Sequence, residues 1–197
     1  EEMDAHLAKV DQSSVGTNWG VGDIMYADLD GDGKISNGTN KLGDTGDYRI
    51  IGNSTPRFKY GITLDAAWKG FDFSIFMQGI GKRDLWLDGC YFWGANGQGN
   101  EWQSTGFAEH WDFFRPEGDP LGANLNSYYP RVNFSGDRNT KVQTRYLQNG
   151  AYLRLKNVQL GYTLPRVWTE KAGISSVRVY VSGDNLATIT SLSKIFD

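Results

Sequence analysis

The chain has 197 residues and a formal net charge of −3, a balance that argues against nucleic acid as a partner. Cys90 is the only cysteine, which excludes an intrachain disulfide. No apolar run is long enough for a membrane-spanning helix, and Glu1 does not begin a signal peptide. Neither absence argues against a membrane β-barrel, because alternating side chains hide its apolar face from averaged hydropathy.

The first motif along the chain is DLDGDGKIS, an acidic loop of the calcium-binding type. Carboxylates at alternate positions converge on one cation when the backbone curls around it, and Gly33 occupies the position of the sharp turn. An EF-hand closes with a glutamate where this chain has Thr39, so Asp44 or Asp47 could close the site. The predicted Ca²⁺ ligands are Asp28, Asp30, Asp32, the Lys34 carbonyl and Asp47. The alternative is an acidic, glycine-rich turn that binds no metal.

Two long strands follow, joined by a tight turn. In FKYGITLDAAW the even-numbered residues from Phe58 to Trp68 are apolar, and the odd-numbered ones are polar or small. In FDFSIFMQGIG the face that begins at Phe71 is apolar, whereas Asp72 shares its face with other polar residues. Lys69–Gly70 predicts a two-residue hairpin turn, since glycine accepts a positive φ.

A long segment from about residue 85 to 150 is rich in aromatic residues and forms the next connection. Such rings stack on sugars, but clusters of them are more often cores, so packing within the loop or against a covering protein is favoured over ligand stacking. The candidates for substrate contact are Trp93, Trp102 and Trp111. We expect His110 to be a hydrogen-bonded loop residue, because no second histidine is near it in sequence. No motif near the loop carboxylates indicates catalysis, so no catalytic residue is predicted.

Two further strands complete the pattern, within AYLRLKNVQLGYTL and SVRVYVSGDNL. The apolar residues of the first change parity midway, and a β-bulge near Lys156–Asn157 would return them to one face. Pro165 ends this strand, and a connection of moderate length leads to the next. The last strand alternates valines with polar residues that include Arg178. Burying an arginine in the core of a soluble protein is costly, whereas an arginine that faces a water-filled barrel lumen is tolerated.

The four strands have about ten to thirteen residues each, which at roughly 3.3 Å per residue and a tilt near 40° spans a bilayer core. Their short, long and moderate connections are typical of an outer-membrane β-barrel. The predicted fold is therefore all-β, with antiparallel strands of a transmembrane barrel and long extracellular loops. Residues 1–56 would be an extracellular loop region, and residues 57–197 barrel strands with an aromatic outer loop at 85–150. The alternative is a secreted, calcium-stabilised carbohydrate-binding β-sandwich, whose strands are usually about half as long.

Several longer stretches carry a family resemblance. They are GVGDIMYADLDGDGKIS, RIIGNSTPRFKYGITLDAAWKGFDFSIFMQGIGKRD, HWDFFRPEGDPLGANLNSYYPR, RYLQNGAYLRLKNVQLGYTLP, SSVRVYVSGDNL and SKIFD. Together, from Gly20 onward, they resemble the C-terminal part of SusC/RagA-like TonB-dependent outer-membrane transporters.

The resemblance implies a single-chain barrel in the bacterial outer membrane, filled by a plug, that imports oligosaccharides or peptides. It also implies a SusD-like lipoprotein as a lid and contact with TonB through an N-terminal region that has no counterpart here. The unpatterned polar start, the end at Phe196–Asp197 and the missing closing strand predict that this sequence is cut from a longer protein. By the same resemblance the short turns are periplasmic and the long connections extracellular.

Overall fold

The computed structural model describes residues 1–97, 99 and 106–192. These residues form two compact units. The first, here called the loop unit, combines Glu1–Ile51 with the described part of Trp86–Leu147. The second, the sheet unit, combines Gly52–Leu85 with the described residues from Gln148 onward. Each unit is thus built from two separate stretches of sequence.

The sheet unit contains four long strands and two short ones. The strands are β1 (Arg57–Trp68), β2 (Phe71–Lys82), β3 (Asp84–Leu85), β4 (Gln148–Asn149), β5 (Tyr152–Thr163) and β6 (Arg178–Thr190). The long strands form one antiparallel sheet in the order β1-β2-β5-β6, while β3 pairs with β4. All four predicted strands are confirmed, and the last one extends four residues beyond the predicted Leu186.

The turn between β1 and β2 is the predicted two-residue hairpin. Trp68 is paired with Phe71, and both turn residues have positive φ, 48° at Lys69 and 88° at Gly70. A turn with two positive φ angles matches the right-handed twist of the flanking strands. A positive φ was predicted only for the glycine, whereas the lysine adopts one too.

The predicted bulge in β5 is confirmed. The β2–β5 register shifts where Phe76 faces Asn157 and Met77 faces Leu155, so Lys156 has no partner of its own. A second shift occurs at the same place between β5 and β6. Because one extra residue reverses which face the later side chains occupy, the bulge returns them to the face of the earlier ones.

Paired residues therefore form rows across all four strands, and the residues within each row have the same chemical character. One apolar row consists of Ala66, Phe73, Leu160 and Val181. The neighbouring polar row consists of Asp65, Ser74, Gln159 and Ser182. Paired residues share a face and successive ones alternate, so the sheet has one largely apolar face and one largely polar face.

Helices are few and short among the described residues. They are α1 (Glu2–Leu7), α2 (Cys90–Trp93) and α3 (Arg166–Thr169), with 3₁₀ turns at Ala108–Trp111 and Glu170–Ala172. The described part of the chain is therefore mostly antiparallel sheet and irregular loop, consistent with the all-β prediction. None of the helices within it combines the length and the apolar character that crossing a membrane requires.

An ion pair on the buried Asp23 carboxylate links distant parts of the loop unit, which has little regular structure of its own. The Asp23 side chain is 0% exposed and is paired with the Arg131 guanidinium. Asn139 donates a further hydrogen bond of 2.8 Å to the same carboxylate, and Arg138 lies 3.6 Å from it. These contacts join parts of the chain more than a hundred residues apart. Ion pairs and hydrogen bonds of this kind hold distant segments together where no β-sheet connects them.

Removing the Asp23 carboxylate should destabilise the loop unit strongly. In Asp23→Ala two arginines lose their shared partner, and a broken buried pair costs about 3–5 kcal/mol of unfolding free energy. The matched control is Asp137→Ala, which removes an exposed pair with Lys141 and should cost at most about 1 kcal/mol. Chemical unfolding of the full-length protein, followed by tryptophan fluorescence, measures both. Equal losses in the two variants would contradict the buried role of Asp23.

Candidate functional site

The acidic loop brings three of its predicted ligands together. Carboxylate oxygens of Asp28, Asp30 and Asp47 lie within 4.8 Å of one another. Asp47 reaches the loop because its two oxygens accept backbone N–H groups of Leu29 at 2.6 Å and Ser36 at 2.7 Å. Asp47 therefore has the position that was predicted for a carboxylate from the following segment, close to the other two ligands.

The other candidates of this loop lie outside the three-carboxylate cluster. The Asp32 carboxylate accepts the Lys34 N–H at 2.8 Å and does not belong to the cluster. The Asp44 carboxylate bonds the Thr39 hydroxyl at 2.6 Å. The structure thus distinguishes Asp47 from Asp44, which the sequence left open.

Electrostatics in the cluster reflect crowded negative charge. The backbone N–H groups of Gly33 and Gly31 hold the pKa of Asp28 below its usual value. At Asp30 the Asp32 N–H acts in the same direction, but desolvation and the charges of Asp32, Asp47 and Asp28 outweigh it and raise the pKa. A bound cation relieves repulsion of this kind, and an all-oxygen set suits Ca²⁺. The residues therefore fit the predicted ion.

Trp93 lies in the core of the loop unit rather than on its surface. It is 2% exposed and packs with Phe92, Tyr129 and Tyr146; its ring centroid is 4.8 Å from that of Tyr146. Its indole N–H donates to the Leu87 carbonyl at 3.2 Å. For Trp93 the burial favours packing over the substrate contact, because both the ring and its polar atom are already occupied.

Trp111 has the opposite environment, with 59% of the residue exposed. The buried Arg115 guanidinium lies 5.3 Å from the Trp111 ring centroid and 4.8 Å from that of Phe113. Arg115 also donates to the carbonyls of Trp111 at 2.8 Å and Gly122 at 2.7 Å. The cation–π contacts and hydrogen bonds fix the exposed ring in place. The third candidate, Trp102, lies outside the described residues.

Trp111 lines a cavity of about 430 Å³ within the loop unit. This cavity, here called the aromatic pocket, is lined by Trp93, Ala95, Asn96, Gly106, Phe107, His110, Trp111, Phe113, Tyr129, Val132 and Phe134. The aromatic segment was predicted from the sequence, but Val132 and Phe134 were not among its candidate site residues. They follow the aromatic cluster by some twenty residues, and only the fold brings them back to it.

His110 is a hydrogen-bonded loop residue, as predicted. Its Nδ1 accepts the Phe107 N–H at 2.9 Å, and its Nε2 lies 3.1 Å from the Phe92 carbonyl. Since Nδ1 is an acceptor, the Nε2 atom carries the proton and donates it to that carbonyl. The ring is neutral in this arrangement, and both of its nitrogens are occupied.

Long antiparallel strands with one apolar and one polar face are typical of outer-membrane β-barrel proteins. The TonB-dependent receptor P3 of Formosa agariphila is 35% identical over 170 residues, which are 86% of this chain and 15% of that receptor. TonB-dependent receptor P26 of the same organism is 29% identical over 181 residues, 90% of this chain and 16% of that receptor. No protein-family model matches the chain.

A solved structure shows the same relationship. The structure of the RagAB peptide transporter matches at a TM-score of 0.57 and 26% identity, over 75% of this chain and 15% of that one. These matches confirm the resemblance inferred from the sequence: the chain is homologous to a part of TonB-dependent receptors and transporters. It spans only 15 to 16% of the length of the two receptors.

The two described tryptophans should respond differently to truncation. Trp93→Ala removes a buried ring and should lower the unfolding free energy of the loop unit by about 3–5 kcal/mol. Trp111→Ala removes an exposed ring and should cost less than about 1 kcal/mol, so any effect should appear in ligand or partner binding. Denaturant unfolding of the full-length variants separates the two. A large stability loss in Trp111→Ala would show that its ring is a packing element.

Proposed function

We propose that this chain is part of a TonB-dependent importer in the bacterial outer membrane, with its four-stranded sheet forming a section of the barrel wall. The observation that carries the proposal is the sheet itself, whose strands have 12 or 13 residues and an exposed apolar face. Leu64 is 54% exposed and Val181 67%. An apolar surface of this extent is a liability in water but suits contact with lipid.

The opposite face has the character of a wet lumen. Arg178 forms an ion pair with Asp72 across Gly161, where a Cβ would lie 2.5 Å from the guanidinium. Asn157 donates to Asp184 on the same face at 2.8 Å. Exposed polar and charged groups of this kind fit a water-filled interior and would be costly against hydrocarbon.

The alternative β-sandwich fits the sheet less well. A sandwich buries one face of each sheet against the other. In the described residues every position of β1 is exposed, including its apolar side chains. Lipid is therefore a better candidate than a second sheet to cover this apolar face.

The two faces can be tested with neighbouring residues near the middle of β1. Leu64→Arg should destabilise the full-length protein by about 2–4 kcal/mol, because the arginine would enter hydrocarbon. Thr63→Arg should be tolerated, since that side chain lies on the polar face. Equilibrium folding into lipid vesicles measures the difference. Equal sensitivity at the two positions would contradict the assigned faces.

The proposed partners follow from the family resemblance. A TonB-dependent importer draws its energy through TonB, and we place that contact outside this segment. A SusD-like surface lipoprotein is the proposed lid, and oligosaccharides or peptides are the proposed substrates. The similarity to RagAB, a peptide transporter, supports uptake of this kind. No chemical step is assigned to the chain, in keeping with relatives that are named receptors.

We also propose Ca²⁺ as a structural ion of the acidic loop, held by Asp28, Asp30 and Asp47. Its role would be to stiffen this loop rather than to take part in transport. The support is the convergence of the three carboxylates and the raised pKa of Asp30.

Calcium should protect the acidic loop from proteolysis in the full-length protein. Asp30→Asn keeps the shape of the side chain but removes one charge of the cluster, so protection should require more Ca²⁺. Asp44→Asn makes the same change outside the cluster and serves as the control. Since the pKa of Asp30 is raised, protection should be lost on acidification at a higher pH than an ordinary aspartate would give. Cleavage that is the same with Ca²⁺ and with chelator would contradict the site.

A further inference from the structure

The aromatic pocket is open to solvent on one side and buried on the other. Trp93 and Tyr129 form its buried wall, whereas Trp111, Phe107 and Phe134 are exposed. Its volume of about 430 Å³ is within the range of small-molecule sites. A group of side-chain size can therefore enter without displacing the core.

No charged side chain lines this pocket among the described residues. The His110 ring is neutral because its Nδ1 accepts the Phe107 N–H. Burial raises the pKa of Tyr129, which keeps its phenol neutral as well. A charged group that entered would lose its hydration without gaining an opposite charge, so the pocket selects against charged ligands.

Most polar side-chain atoms of the lining are engaged within the protein, and among the described residues only the Trp111 indole N–H and the Tyr129 hydroxyl are left to bond a ligand. Asn96 accepts the Asn133 N–H at 2.9 Å, and the Trp93 indole donates to Leu87. Both nitrogens of His110 are also bonded. A sugar ring has several hydroxyls that need partners when buried, whereas an apolar side chain needs none. The lining therefore matches an apolar side chain better than a hexose.

We propose that the aromatic pocket is a subsite for an uncharged apolar side chain of a peptide substrate. The inference rests on the proposed importer function and decides between the two substrate classes that it leaves open. Trp111 forms the exposed wall against which the side chain packs, and Arg115 is a positioning residue that holds this ring. The peptide backbone would remain outside the pocket, where water and other parts of the protein can satisfy it.

The test uses the full-length protein and two probes, an equimolar pool of random hexapeptides and the neutral oligosaccharide maltohexaose. Val132→Trp fills the pocket, and Val142→Trp makes the same change at an exposed position outside it. Phe134→Ala removes part of the exposed wall and serves if Val132→Trp does not fold. Mass spectrometry of the material retained after washing gives the amount and the composition of bound peptide.

The wild type and Val142→Trp should retain peptides enriched in Phe, Tyr, Leu and Met over the input pool. Val132→Trp should reduce retention of these peptides roughly tenfold or more, the effect of losing one buried side chain. Phe134→Ala should reduce it in the same direction.

Three results would overturn the proposal. The first is retention of peptides without apolar enrichment, or with enrichment that both pocket variants leave unchanged; the importer function would then stand. The second is retention of maltohexaose alone, lost in Val132→Trp, which would assign the pocket to sugar rings. The third is retention of neither probe by the wild type, in which case the Leu64 and Thr63 variants decide separately whether the sheet is a membrane wall.

Discussion

The structure depends on one constraint: side chains on paired strands must keep to the same face along the whole width of the sheet. Because side chains alternate with a period of two, the change of parity within the β5 sequence would transfer every later apolar side chain to the polar face if each residue were paired in turn. The bulge at Lys156 and the matching irregularity in β6 prevent this transfer. As a result, one face of the sheet is apolar and suits hydrocarbon, and the other is polar and suits water, over the full length of the strands. Backbone groups within it are paired by the ladder, which lipid contact requires.

This constraint explains why the sheet was predictable. Alternation and turn chemistry are local signals, so the four strands, the Lys69–Gly70 hairpin and the position of the bulge could be predicted from short stretches of sequence. The end of the last strand could not, since it lies four residues beyond the predicted Leu186. The acidic loop is local as well, because most of its carboxylates are close together in sequence. Asp47 was distinguishable from Asp44 only in three dimensions, where backbone N–H groups of Leu29 and Ser36 hold it against the loop.

The loop unit was predictable only in part, for the opposite reason. Its contacts join residues that are distant in sequence, as the pairing of Asp23 with Arg131 shows. No periodic pattern in the sequence predicts such contacts. Trp93 and Trp111 are both tryptophans of one aromatic segment, yet Trp93 lies in the core and Trp111 is exposed. Trp93 packs with Tyr129 and Tyr146, whereas the exposed Trp111 ring is in contact with Arg115, and these neighbours depend on how the whole connection folds.

The two units divide the proposed work between them. In the proposed importer the sheet would form a section of the barrel wall, while the loop unit contains the aromatic pocket and the acidic loop. Loops held by rigid elements commonly carry recognition in this way. Under this proposal the neutral lining of the pocket would select a substrate group, and the charged face of the sheet would be in contact with water.

The central claim is that the two faces of the sheet meet lipid and water. Single cysteines placed in turn at residues 59–67 of the full-length protein, with Cys90 replaced by serine, test it directly in lipid vesicles. The account predicts that a water-soluble thiol reagent modifies odd-numbered positions and that a lipid-phase spin label quenches a fluorophore on even-numbered ones. Modification without two-residue alternation, or without any quenching from lipid, would contradict it.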